Sequence, residues 1–450
     1  MLDRMKRVFE IPGIDFAEAR WEHFRVNKIH LRNREKMAYE SENLSGNVRV
    51  LVNGNWVFVS FCGLNIGNIE DRVQGAIKTA KSLRNGYRKV ARSNTAKEEL
   101  RYSVKRGLEN VSMTEKMQLL LEYNSILVDD LKERSDITYS DHIIERQYCN
   151  SEDTEITEET NQISLTIVAI AKEGIDVEES RDYIAVRDFA CIEQLSRWTQ
   201  EIGLRARKQL GAKGLKRDMY SVILDPSLAS CVVHEAVGHM SEADEVLSKT
   251  TYRDLIAPNR KIGIEQLNVV DDGTIHELVS SCKYDDEGVR TDKTYIIKGG
   301  YVSSCLQSRE TAAESNTKLT GNARALDCRF PPLVRMWTTY IEPNDWTIEE
   351  MIRSTQRGIY AKTKREGRLG SNARFTVWAQ EGFLIQHGEI RERIKGVVIS
   401  EDVLKCLSSI EAIASDLTFF SDPCGKYDQF PLICTRGSPH LKLETASVGT

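Results

Sequence analysis

Apolar and polar residues alternate with a period that changes along the chain, and the changes mark out its elements. Ala17 to Leu31 mixes apolar and charged residues in a strand-like way. Asn47 to Val59 reads as a hairpin, with β-branched and aromatic residues on both sides of Asn53-Gly54, the strongest short hairpin signal. From Ile69 to Leu83 the period lengthens, and Ile69, Val73, Ala76, Ile77 and Ala80 form a helical stripe. After a polar, basic stretch from 85 to 110, a second helix is predicted over Thr114 to Leu131, opened by Ser112 or Thr114 as cap. The acid-rich segment Asn150 to Glu159 reads as a turn or exposed strand edge before the apolar strand Ile163 to Ala171. Glu193 to Leu210 is a charged amphipathic helix, and the Gly- and Lys-rich run Gly211 to Arg217 is read as a linker between domains.

Beyond that linker, Ser221 to Leu224 is a short strand, and Asp225-Pro226 matches an N-cap followed by proline at the first helical position. Downstream, Asp272-Gly273, Glu287-Gly288, Gly299-Gly300 and His387-Gly388 separate short apolar runs at spacings typical of an antiparallel sheet. The expected class is α+β. An N-terminal α/β sandwich-like domain, residues 1–210, precedes a mostly antiparallel β domain, residues 218–450, built around the helix that begins at Pro226. A chain of 450 residues is long for one core, which agrees with two domains.

The net charge of -5 and pI near 6.0 give no basic footprint for nucleic acid. No run of 18 apolar residues occurs, and Met1 to Glu10 lacks the apolar stretch of a signal peptide, so a cytoplasmic protein without a membrane span is expected. Ten cysteines lie scattered with no C-x-x-C pair, the pattern of a reducing compartment in which most are small buried hydrophobes.

Candidate chemistry sits on the helix that follows Pro226. Val232-Val-His-Glu-Ala-Val-Gly-His-Met240 places two imidazoles and a carboxylate in a short apolar run. Neutral imidazoles suit Zn²⁺, and a glutamate beside one of them stands where a metal-activated water needs a base. The common zinc-peptidase helix spaces its histidines i,i+4, whereas His234 and His239 are i,i+5. At about 100° per residue, an i,i+5 pair on a regular helix diverges by roughly 140°. Convergence on one ion therefore requires a π-type widening or a break of the turn. Gly238 is the residue expected to tolerate it. Two histidines leave a catalytic site one protein ligand short, and Glu242 and Asp244 are carboxylates near in sequence.

The stretch His234-Glu-Ala-Val-Gly-His-Met-Ser-Glu-Ala-Asp244 resembles the signature of the TldD/PmbA family of metallopeptidases, in its TldD-like branch. Further pieces follow in the family's order: Val269-Val-Asp-Asp-Gly-Thr274, Asp285-Asp-Glu-Gly288, Thr320-Gly-Asn-Ala-Arg324, Pro331-Pro-Leu-Val-Arg-Met336, Gly358-Ile-Tyr360, Glu381-Gly-Phe-Leu-Ile385 and Cys424-Gly-Lys426. The resemblance spans nearly the whole C-terminal half. It implies one zinc ion per catalytic subunit, Glu235 as catalytic base, and Cys424 as third ligand beside His234 and His239. A thiolate is a strong zinc ligand, and Lys426 is expected to help hold it ionised. Ser421-Asp422-Pro423 departs from the small residues and glycines common there in the family. Cys231 and Cys434 are read as buried structural thiols. The family also implies proteolysis of unfolded or leader-type peptides bound as an extended strand. It implies a homodimer, or a heterodimer with a paralogue that lacks the motif. The alternative is a non-catalytic peptide-binding or regulatory module with a structural zinc, although a structural site has no need of a base.

Other clusters carry less. The acids Asp271-Asp272 and Asp285-Asp286 stand at turns and are read as turn formers rather than catalytic carboxylates, and Glu381 is discounted with them. The basic run Lys362 to Arg368 lacks interleaved aromatics and is read as a solvated loop, with substrate contact as a further reading from the resemblance.

Overall fold

The computed structural model describes residues 5–63, 69–83, 86–370 and 372–450. The expectations placed on residues 1–4, within the Met1 to Glu10 segment, and on residue 85 lie outside the described residues.

One long sheet forms the first part of the chain. Its strands are β1 (Phe16–Arg32), β2 (Glu35–Val52), β3 (Asn55–Cys62), β4 (Lys97–Arg101), β5 (Arg134–Asn150), β6 (Glu155–Glu173) and β7 (Asp176–Val186). They pair in the order β3-β2-β1-β5-β6, and β4 and β7 share the outer edge of β6. The β2–β3 hairpin turns at Asn53 and Gly54, whose φ values of 50° and 70° are the left-handed pair that such a turn requires. Helix Ile69–Ser82 buries Ile69, Val73, Ile77 and Ala80 against Val48, Val50, Val57 and Val59. A separate core forms where helices Met113–Ser125 and Ser196–Gln209 cover the middle strands, with Leu120, Tyr123, Ile202 and Ala206 against Ile137, Leu165 and Ile167. Ser112 caps the first of these two, accepting from the Glu115 amide at 3.2 Å. That helix ends short of the expected Leu131, because its last turn, Ile126–Asp130, widens to π geometry.

From β8 (Asp218–Leu224) onward a second sheet closes on itself. Strand Arg357–Leu369 pairs with β8 in parallel, β8 with Leu441–Gly449, that strand with Val398–Asp402, the latter with Arg374–Gln386, and Arg374–Gln386 again with Arg357–Leu369. A mixed six-stranded sheet that includes Val269–Asp272, Thr338–Ile341, Thr418–Lys426 and Gln429–Ser438 stands beside it. The fold is thus mixed, strand-rich and mostly antiparallel. The helix that begins at Pro226 is buried from Ser227 to Val233 and shares one apolar core with strands of both sheets. The basic run Lys362 to Arg368 is not a loop: it continues strand Arg357–Leu369, because Arg374–Gln386 pairs with it on both sides of a bulge between Lys364 and Glu366. Among the described residues no helix is long and apolar enough to cross a membrane.

Candidate metal centre

Ordinary capping chemistry positions the central helix. Asp225 accepts from the Leu228 amide at 2.9 Å, and Pro226 occupies the first turn, where its missing N–H costs nothing. The other Asp225 oxygen accepts from the Thr363 amide at 2.8 Å, which ties the helix start to strand Arg357–Leu369. Pro226–Val233 is regular α-helix, His234–Gly238 is a π turn, and His239–Ser241 closes as 3₁₀. The wider turn is what brings an i,i+5 pair onto one face: the His234 and His239 rings stand 4.8 Å apart, edge to face.

The role expected for Gly238 is corrected. Its φ of -54° and ψ of -62° are ordinary helical values that any residue adopts. A Cβ there would stand 2.0 Å from the Met336 sulfur, so a side chain at this position would have to displace Met336, which reaches it from the link between strands Leu333–Val334 and Thr338–Ile341.

Cys424 arrives from the other direction, on strand Thr418–Lys426, whose pairing with Gln429–Ser438 shifts register between Cys424 and Lys426. Its Sγ lies 3.4 Å from His239 Nε2, and donor atoms of His234, His239 and Cys424 all fall within 4.8 Å of one another. Two donors bound to one tetrahedral Zn²⁺ at about 2.05 Å (N) and 2.3 Å (S) stand roughly 3.6 Å apart, close to the spacing seen here. His234 Nδ1 is buried without a hydrogen-bond partner, an orphan of the kind that ion binding satisfies. Two imidazoles and a thiol are a donor set that suits zinc, so the residues fit the group.

Charge around the trio favours a thiolate. The Cys434 thiol, then, against the cost of burial, the His239 and His234 imidazoles, hold Cys424 well below the usual thiol range. Burial alone would depress His239, but Cys424 and the Glu242 carboxylate outweigh it and hold the imidazole well above its usual value. Fully buried Arg335 adds positive charge near Cys424, Cys434 and Glu242.

The structure sorts the carboxylates. Glu242 meets His239 on its Nδ1 side, at 3.4 Å, while Nε2 faces Cys424, so this carboxylate backs the ring and stands outside the trio. Lys426 was expected beside the thiolate but points elsewhere: its Nζ lies 3.0 Å from Glu242, 2.7 Å from Asp244 and 3.0 Å from the Val334 carbonyl. Asp244 is thereby engaged away from the trio. Burial alone would raise the pKa of Glu242, yet Lys426 and His239 hold it below the usual range. Asp422, the departure from the family pattern, pairs with Lys364 at 3.0 Å and with Arg436 at 2.7 Å.

Glu235 is partly exposed at the cleft, a space of about 550 Å³ that the trio also lines. Strand residues Lys364 to Leu369 form the facing wall. Gly367 approaches so closely that a Cβ would stand 2.3 Å from Cys231 Sγ and 3.2 Å from Glu235 Cγ. Sequence reasoning gave Gly367 and Met336 no packing role of their own, since each contact joins segments about a hundred residues apart or more and leaves no local signal. The discounted acids hold backbone: Asp271 accepts from Asn322, Thr339 and the Trp337 amide, and Asp285 from the amides of Glu287, Val289 and Ala323. Asp271 does so from within a buried strand rather than at a turn.

Two family models match the chain: the PmbA/TldA metallopeptidase central domain over residues 106–212 and C-terminal domain over residues 217–450. A metalloprotease of Methanocaldococcus jannaschii is 31% identical over 443 residues, 95% of each chain. A zinc metalloprotease TldD homolog of Saccharolobus solfataricus is 30% identical over 455 residues, 100% of this chain and 99% of its own. TldE of Thermococcus kodakarensis shares the fold, with a TM-score of 0.81 over 100% of both chains at 17% identity. Full-length likeness to proteins named metalloproteases, with family models over most of the sequence, shows that this chain belongs to the PmbA/TldD family of metallopeptidases.

Proposed function

We propose that the protein is a zinc-dependent peptidase of extended, unfolded peptides, with His234, His239 and Cys424 holding the ion and Glu235 as the base. The observation that carries this reading is the convergence of three donor atoms from a π turn and a distant strand beside a partly exposed glutamate in an open cleft. When bound there, zinc supplies Lewis acidity toward a scissile carbonyl and acidity toward a water. Glu235 takes the water's proton on its carboxylate and passes it to the leaving amine. Glu242 fixes the His239 ring through Nδ1, and Lys426 fixes Glu242.

Substrate binding follows from the strand that walls the cleft. Arg357–Leu369 leaves its parallel partner β8 after Ala361 and keeps Arg374–Gln386 on one side only. Residues 365–369 therefore offer an edge to which an extended peptide adds by backbone hydrogen bonds, with loose side-chain preference. The domain division at 1–210 and 218–450, a cytoplasmic location, and assembly as a homodimer or with a motif-lacking paralogue belong to the same proposal.

The deciding experiment joins metal analysis of the purified protein to digestion of an unfolded peptide, with and without chelator. About one zinc per chain, chelator-sensitive cleavage of the unfolded peptide, and resistance of a stable folded domain are expected. Zinc retained with no cleavage of any unfolded peptide would transfer the protein to the non-catalytic, structural-zinc reading.

A further inference from the structure

Beside the cleft of the metal centre a second cavity opens, of about 460 Å³. Five residues line both spaces, Lys364, Arg365, Asp422, Pro423 and Arg436, so the two adjoin along a common wall. The Asp422 pairs with Lys364 and Arg436 hold that wall in shape. On the far side three aromatic rings arrive from separate elements: Tyr183 from β7, Trp198 from helix Ser196–Gln209 and Phe420 from strand Thr418–Lys426. None of the three is fully buried, so ring surface is left for an occupant. Most of the remaining lining is polar, but Asp182 is paired with Arg205, Asp422 with Lys364 and Arg436, and Asp225 with the Leu228 and Thr363 amides, so the rings are the surface left for an apolar ligand group.

The distance between the two spaces can be read along two strands. On one wall, Gly367 lies against Glu235, and Thr363, four residues earlier, lines the second cavity. On the other, Cys424 belongs to the metal trio, and Phe420, four residues earlier, lines the second cavity. At 3.3 Å per strand residue the regular wall from Phe420 to Cys424 covers about 13 Å, and the wall from Thr363 to Gly367, which carries a bulge between Lys364 and Glu366, runs alongside it. A peptide on the 365–369 edge leaves it before Lys364, because the Thr363 and Lys364 amides are bonded to Asp225 and Ser227. Rising at the same rate past Phe420, it reaches the cavity about three or four residues from the bond at Glu235.

We infer that this cavity is a side-chain subsite of the cleft and takes an aromatic side chain of the substrate, three or four residues from the scissile bond. The inference rests on the peptidase reading and adds one selective position to a backbone-driven mode of binding.

The test uses the full-length protein and unfolded peptides in which a single Phe is moved through an Ala/Ser background. With the wild-type protein, mass spectrometry of the products should show the cut moving with the Phe and staying three or four residues from it. With Glu235→Gln protein, calorimetry should give Phe peptides an affinity about tenfold or more above the Phe-free peptide, the lower end of what burying a Phe ring supplies. Phe420→Ala and Tyr183→Ala, each introduced separately and checked by thermal unfolding, should erase that advantage. Cuts that ignore the Phe, or an undiminished advantage in both folded variants, would overturn the subsite while leaving the peptidase intact. Peptides that bind with the Phe advantage and are never cut would instead overturn the peptidase reading and keep the cavity as an aromatic-binding site.

Discussion

Two buried polar clusters in this molecule differ in which of their atoms are left without a partner. Where the first sheet meets the C-terminal half, Glu18, Glu22, Asp286 and Glu287 are buried or nearly so, and both oxygens of each are engaged. Glu18 meets Arg49 and Tyr148; Glu22 meets Arg20 and the Cys328 amide; Asp286 meets Arg20 and the Ala325 amide; Glu287 meets Arg49 and the Arg309 amide. At the metal centre the polar atoms are just as buried, but His234 Nδ1 and Glu242 Oε1 have no hydrogen-bond partner. A buried carboxylate is tolerated when it is paired, and in the first cluster every carboxylate oxygen is, while the atoms left over there are guanidinium donors, Arg20 Nη1 and Arg309 Nη1 among them. That cluster joins parts of the fold. The metal centre instead leaves an imidazole nitrogen and a carboxylate oxygen, the kind of atom that an ion or substrate would use.

Substitutions can separate the two roles. The largest effect is expected from Glu235→Gln, which should lower peptide cleavage by about 10²- to 10⁴-fold while zinc content stays at wild-type level. Comparable turnover at verified zinc content would remove Glu235 from the chemistry. Arg49→Met should act in the opposite way, because it leaves one oxygen each of the buried Glu18 and Glu287 carboxylates without its cation. A stability loss of about 3–5 kcal/mol in denaturant unfolding is expected, with zinc stoichiometry unchanged in the fraction that remains folded. Zinc lost before unfolding would mean that the two clusters are one unit.

Glu242→Gln and Cys424→Ser sharpen the metal side. Loss of the carboxylate behind His239 should weaken zinc by about 10- to 100-fold in a competition titration, without abolishing it. Cys424→Ser should leave less than stoichiometric zinc after dialysis. The reverse ranking would transfer the ligand role to Glu242. Last comes Gly238→Ala, in which the new methyl meets the Met336 sulfur. Overpacking of this kind should cost about 1–3 kcal/mol in thermal unfolding, and the π turn should lose zinc affinity with it. A wild-type melting curve and affinity would show that Met336 yields freely.

Local chemistry made much of the architecture legible from the sequence. Asn53-Gly54 specified its hairpin through left-handed backbone, Ser112 and Asp225-Pro226 specified helix starts through capping, and the stripe from Ile69 to Ala80 specified a face to bury. The His234 to His239 spacing even demanded a widened turn, since regular helix geometry would have pointed the rings apart. What the sequence withheld depends on pairs far apart in the chain. The basic run at 362–368 became a strand because a partner was available to pair with it, and Gly238 lies where a side chain would have to displace Met336. Lys426 turned to Glu242 and Asp244 rather than to Cys424 because those carboxylates lie within 3.0 Å once the strand is placed. Residue spacing determines what one segment can do, since capping, turns and periodicity act over a few residues. Which segments meet, and so which groups become neighbours at the site, was decided only by the packing of the two halves.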